Sequence, residues 1–288
     1  SNWNEHPAFK FGGTILSGIW VAKFEASRSD AGTDKDSMGT SSTIKIQPNV
    51  TSWRDENIGD IFTYCQNMNS SSKASIYGIS TNKNIIDPHL IKNIEWGAVA
   101  YLTQSSYGRN GKEPYINNSS DFITGNSGGS TSASTSSGAR YRYTTPNGQK
   151  ASTTGNVSGI YDMSGGSLEY VACYVNNGDS SLTENANSLL NANSKYKDVY
   201  IMGSGNSSSS NYDANRNIYG DAIYETSKSY EDNNGWFYDR ARYFNSANPF
   251  LMRGGYISYG SNAGIFSFYI SSGINATSNT FRPVLTVL

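Results

Sequence analysis

Apolar positions along this chain come in short runs set between long polar stretches, the pattern of a strand- and loop-rich protein. Ile19-Trp20-Val21-Ala22-Lys23-Phe24 is β-branched and aromatic with a glycine before it, and reads as a strand. Thr43-Ile44-Lys45-Ile46 resumes in extended form after a polar loop at 27–42, and Pro48 ends it. Ser52 followed by Asp55 and Glu56 predicts a capped helix over roughly 53–68, with Ile58, Ile61, Phe62 and Cys65 at helical spacing. Asp87-Pro88 predicts a second helix, a capping residue plus a first-turn proline, running to about 104 on Leu90, Ile91, Ile94, Val99, Tyr101 and Leu102. Further strands are predicted at Ile160-Tyr161-Asp162-Met163, Leu168–Tyr174, Phe250–Arg253, Ile265–Ile270 and Phe281–Leu288. Polar insertions interrupt the pattern near 125–139 and 176–216, the second holding only a short Tyr196–Met202 segment. No fixed-period repeat is present. Two early helices among short strands and long loops predict an α+β fold in one domain spanning 1–288.

Composition narrows the function. Hydrophobic residues are 36% of the chain and charged ones only 16%, while 21 tyrosines join Asn, Ser, Thr and Gly in carrying its polarity. That balance predicts an exported, surface-displayed protein. Net charge is −1, from 22 basic and 23 acidic residues, with no basic run, so nucleic acid is not an expected partner. No apolar stretch predicts membrane insertion of this segment. The opening Ser1-Asn2-Trp3-Asn4 is neither basic nor apolar, so the expectation is a chain that begins after any signal or anchor.

Catalytic motifs are lacking. His6 and His89 are the only histidines, neither beside a nucleophile motif, and structural roles are expected for both. P-loop, dinucleotide, HExxH and EF-hand patterns do not occur. Cys65 and Cys173 form no CxxC; they can pair as one disulfide or pack as two core thiols. Gln47-Pro48-Asn49 matches a sugar-binding tripeptide but has no Trp-Asn-Asp partner, and reads as a chance match.

Three later strings are more telling. Gly159-Ile160-Tyr161-Asp162-Met163-Ser164-Gly165-Gly166-Ser167-Leu168-Glu169-Tyr170-Val171 is followed by Met252-Arg253-Gly254-Gly255 and then Phe281-Arg282. They resemble, in order, the GLYDMxGNVWEW, RGGS and GFR elements of the formylglycine-generating enzyme family. Asn93-Ile94-Glu95-Trp96-Gly97-Ala98-Val99-Ala100 resembles that family's TEAEWEYAA helix. The resemblance implies a C-type-lectin-like fold from about His6 to Leu288. It argues against the activity, because the family's copper-binding cysteine pair has no counterpart between Gly254 and Leu288. No cofactor is required on this reading. Calcium is implied as an option, held by Glu169 and by backbone oxygens at Gly165–Ser167.

The stretch from Tyr256 to Asn275 is built of Tyr, Ser, Ile, Asn and Gly, a composition close to that of antibody recognition loops. Its placement resembles the variable region of proteins diversified by retroelements, and adenine-directed changes at Asn codons yield several of its residue types. Ile265, Phe266 and Phe268 are expected inside. Tyr256, Ser258, Tyr259, Ser261, Tyr269, Ile270, Ser271, Ser272 and Ile274 are the candidate ligand-binding residues. Gly254, Gly255, Asn262-Ala263-Gly264 and Phe281-Arg282 form the expected fixed frame. The N-terminal His6–Phe11 and Trp20–Phe24 strings look like those of bacterial and phage relatives. The expectation is therefore a non-catalytic adhesin or receptor-binding domain on a pilus, cell surface or phage particle, with a protein or glycan ligand. The alternative is a structural virion or pilus subunit that uses the same surface for protein contact.

Overall fold

Burial along Leu168–Val175 decides the architecture: all eight residues are buried, so this strand has covered faces on both sides and no polar alternation. The computed structural model describes residues 5–31, 43–118, 122–127 and 141–288. Of the expected loop at 27–42, positions 32–42 lie outside them, and of the expected insertion near 125–139, positions 128–139 do. The main strands are β1 (Ile19–Val21), β2 (Ile86–Leu90), β3 (Leu168–Val175), β4 (Asp198–Tyr200), β5 (Phe250–Arg253), β6 (Phe268–Ser271), β7 (Asn279–Phe281) and β8 (Pro283–Val287). Central β3 pairs antiparallel with β5 along one edge, and β5 pairs antiparallel with β6. The other edge of β3 is shared, with β7 parallel to its first half and β4 parallel to its second. A second sheet places β8 between β1 and β2, antiparallel to both. The mixture of helices and largely antiparallel strands makes the fold α+β.

The main helices are α1 (Ile58–Gln66), α2 (Asn93–Gln104), α3 (Ser180–Asn191) and α4 (Ser208–Ala214). α1 starts later than the sequence suggested. Asn57, not Ser52, caps it, its side chain accepting from the Asp60 N–H at 2.8 Å. Ser52 is buried instead and donates to Glu25. The second expected helix divides in two. Asp87 and Pro88 lie in β2, an edge strand that tolerates a proline without an N–H. α2 then begins after Lys92, whose N–H donates to Glu95 Oε2 at 2.8 Å in place of an Asp cap. The 176–216 segment is not an insertion loop, since it contains α3, β4 and α4. Leu182, Ala186 and Leu189 give α3 a buried stripe against α1. Residues 160–163 are not a strand. Asp162 takes a positive φ of 63°, and its carboxylate accepts from Asn117 Nδ2, Thr124 Oγ1 and Gly125 N at 2.7–2.9 Å, which fixes a turn.

One apolar cluster runs from Phe11 to Val284 and includes Trp53, Trp96, Tyr170, Phe250, Phe266 and Phe281. Cys65 and Cys173 are both buried within it as free thiols, so the disulfide alternative is not realised. Burial pushes both thiols up. Among the described residues no helix is long and apolar enough to cross a membrane.

Candidate functional site

The motif residues of the sequence turn out to be a buried frame. Arg282 is fully buried and forked onto Glu169, with Nη2 2.6 Å from Oε1 and Nε 3.0 Å from Oε2. Its remaining N–H groups reach the carbonyls of Ala22 at 2.6 Å and Tyr161 at 2.8 Å. Glu169 therefore does not fit the calcium role that the resemblance implies. Both of its oxygens are engaged by a guanidinium, which would repel a cation, and no group of three metal-ligating side chains occurs among the described residues. Burial pushes this carboxyl up to about 7, against the pull of Arg282. Arg253 is likewise buried, donating to Asn93 Oδ1 and to the carbonyls of Asp221 and Ala222 at 3.0–3.2 Å. The histidines are structural by geometry. His89 lies in β2 with Nε2 3.0 Å from Glu95 Oε1, and His6 Nδ1 accepts from the Ala8 N–H at 3.2 Å.

On this frame sits a row of half-buried aromatic rings. Gly254 and Gly255 end β5 with φ of 83° and 71° and turn the chain outward into a short 3₁₀ segment, Ile257–Asn262. Ala263 and Gly264 then dive back into the core. Gly264 is required there, because a Cβ would stand 2.1 Å from Asp239 Oδ1. The buried Asp239 carboxylate accepts from the Phe266 N–H at 2.9 Å and pins the return into β6. Between these anchors Tyr256 and Tyr259 meet edge to face at 4.6 Å, and Tyr259 meets Tyr269 at 5.5 Å. Arg240 lies over Tyr259 at 4.2 Å and over Tyr269 at 4.8 Å, and Arg242 lies over Tyr269 at 6.0 Å. At the other end Phe122 stacks on Tyr256 at 6.3 Å, with Arg54 5.1 Å above the Phe122 ring. Asp232 holds both outer guanidinia, accepting from Nε of Arg240 and of Arg242 at 3.0 Å and from Arg242 Nη2 at 2.6 Å. Those bonds, the Arg242 one foremost, keep the Asp232 carboxyl below its usual range. A cleft of about 470 Å³ opens beside Asp232 and Arg242, lined also by Tyr230 and Ser208.

The candidate residues divide accordingly. Tyr256, Tyr259 and Tyr269 come together in the row, and Ser258 and Ser261 are exposed on the same 3₁₀ segment. Ile270 is half-buried like Tyr269, but neighbours in a strand point to opposite faces, so it does not join the row. Ser271 is buried, its Oγ 2.7 Å from the Tyr170 hydroxyl and accepting from the Gly273 N–H, which corrects its expected ligand role. Ser272 and Ile274 belong to the turn after β6, where their carbonyls accept from Asn185 and Tyr170. Sequence reasoning missed Phe122, Arg54, Asp232, Arg240 and Arg242. The alternation Arg240-Ala241-Arg242 was the available signal, since it puts two arginines on one face of an extended segment. Alongside the row runs the loop Trp236-Phe237-Tyr238, tied to it where Asn262 Nδ2 donates to the Tyr238 carbonyl at 2.9 Å. Phe237 and Tyr238 hold φ of 60° and 66°, at a cost of about 1–2 kcal/mol for each non-glycine residue in that region.

No family model matches the chain, and no curated protein matches it. Among solved structures, Treponema denticola variable protein 1 aligns over 96% of this chain and 97% of its own, at 10% identity and a TM-score of 0.37. A likeness that loose carries no inference about fold or ligand.

Proposed function

We propose that this chain is a non-catalytic recognition domain that binds its ligand with the aromatic row Tyr256, Tyr259 and Tyr269 and the arginines stacked on it. The observation that carries the reading is the layered Arg240, Tyr259 and Tyr269 contact at the protein surface, backed by a rigid frame. Tyrosine and arginine are enriched at binding hot spots, tyrosine because its stiff ring gives contact area at low entropic cost, and Arg240 is already held in place by Tyr259, Tyr269 and Asp232. The contrast in burial adds support. All expected frame residues but the half-buried Asn262 are buried, and all expected ligand-binding positions but the buried Ser271 are exposed or half-buried. The reading includes one C-type-lectin-like domain of the formylglycine-generating subtype, displayed outside the cell or on a phage particle. Supporting that subtype, the first and last of its three matching strings meet at the Glu169–Arg282 pair and the β3–β7 pairing, and the middle one pairs with β3 at Tyr170 and Glu169. The non-catalytic reading rests on two histidines and two thiols that are all committed to internal packing or bonds.

The test is population sequencing of codons 256–277, with a search of the flanking DNA for a near-identical template copy. Changes concentrated at 256, 258, 259, 261 and 269, with adenines at the matching template codons, are expected. Changes spread evenly over the chain, with no template, would favour the structural subunit and remove the diversified-binder reading.

A further inference from the structure

Trp236-Phe237-Tyr238 forms one wall of a cleft of about 420 Å³ that no part of the preceding reading uses. Its backbone is strained without repayment from burial. Phe237 and Tyr238 both sit in the left-handed region, yet the Tyr238 ring is 77% exposed and Trp236 is 46% exposed. Phe266 is the core residue they meet: Trp236 packs on it edge to face at 5.2 Å and Phe237 stacks on it at 6.2 Å between ring centroids. Strain of this kind persists where the surroundings over-determine it, and here it holds Trp236 and Tyr238 exposed on the cleft lining.

The opposite lining is polar and balanced. Glu225, whose Oε1 already accepts from the Gly220 N–H at 2.6 Å, offers a further acceptor, Lys228 donors and Asn233 both, with one charge of each sign. The volume falls in the range of roughly 300–1,000 Å³ that small-ligand clefts occupy. Exposed aromatic planes facing short hydrogen-bonding side chains suit a ligand with C–H faces on one side and hydroxyls on its rim. The electron-rich ring face attracts the polarised C–H groups of a pyranose, and the amide, ammonium and carboxylate take its hydroxyls. With one charge of each sign the lining carries no net charge, which suits a neutral ligand. We infer that this cleft is a calcium-independent binding site for a neutral saccharide, separate from the Tyr256–Tyr259–Tyr269 row.

The test is saturation-transfer-difference NMR on the whole chain with chitotriose, cellotriose, maltotriose and lactose at millimolar concentration, in the presence of a calcium chelator. At least one sugar is expected to receive saturation. Trp236→Ala should weaken that binding by about tenfold or more. Tyr238→Asn should also weaken it without lowering the melting temperature, because asparagine tolerates the left-handed backbone. Tyr259→Ala and Tyr269→Ala should leave sugar binding unchanged, which separates this site from the recognition row. Absence of transfer to all four sugars overturns the inference, as does binding indifferent to both Trp236→Ala and Tyr238→Asn. A protein partner whose footprint covers 236–238, with no sugar bound, also overturns it and assigns the loop to the neighbouring face.

Discussion

Replacing Arg282 by lysine keeps the charge and loses the fork. An ammonium cannot satisfy both Glu169 oxygens and the carbonyls of Ala22 and Tyr161 at once. With the pair fully buried, Arg282→Lys is expected to cost about 3–5 kcal/mol, as read by urea unfolding; a loss under about 1 kcal/mol would mean the site relaxes around lysine. On the surface, energies are smaller and better measured as couplings. A double-mutant cycle of Arg240→Ala and Tyr259→Ala should return a stabilising interaction of about 0.5–1 kcal/mol. A coupling of zero would mean that the 4.2 Å stack contributes nothing to the unliganded fold.

At the scale of elements, legibility followed how much the local sequence had to share with its surroundings. The bounds of β5 were readable because the apolar run Phe250–Met252 is closed by Arg253 and a glycine pair. β3 was readable because its largely apolar run follows the glycine pair Gly165-Gly166. Asp87-Pro88 misled because a capping acid plus proline is equally at home on a strand edge, and only the pairing with β8 decides between them. α3 was hidden by composition. Its Asn- and Ser-rich sequence reads as loop, while Leu182, Ala186 and Leu189 recur at helical spacing and carry the packing against α1. Leu189→Ala should therefore cost about 2–5 kcal/mol by thermal or chemical unfolding, where a residue in a solvated loop would cost almost nothing. In the candidate site the tyrosines of 256–269 were legible from composition. The guanidinia stacked on them were not, because they come from a separate segment that only the tertiary fold brings alongside.

For the molecule as a whole, the buried acids set how stability responds to pH. Burial pushes Asp198 up to about 6 and Asp221 up to about 7, and raises Glu25 and Asp239 as well. Each holds its proton more tightly folded than unfolded. Its stabilisation is complete below the unfolded value of about 4 and is lost as pH rises through the folded one. Glu95 and Asp232 are shifted down, so their contribution fades only in more acid solution. His6 is lowered by burial and opposes the trend as pH falls through its unfolded value near 6.5, as a single half-buried group. The melting temperature should accordingly be higher at about pH 5.5 than at about pH 8. The reverse order would show that these carboxyls ionise in the fold without penalty.

The placing of β8 between β1 and β2 also sets a clock for biosynthesis. Val21 pairs with Val284, so the first strand of that sheet stays unpaired until translation has passed Val284. At roughly 5–20 residues per second that delay is on the order of tens of seconds. Over that interval Trp20 and its neighbours form an open, aromatic strand edge on the nascent chain, competent to pair with any other such edge. Crowded expression should trap this protein by edge-to-edge association before its sheet can close, and slower synthesis at lower temperature should favour the soluble form.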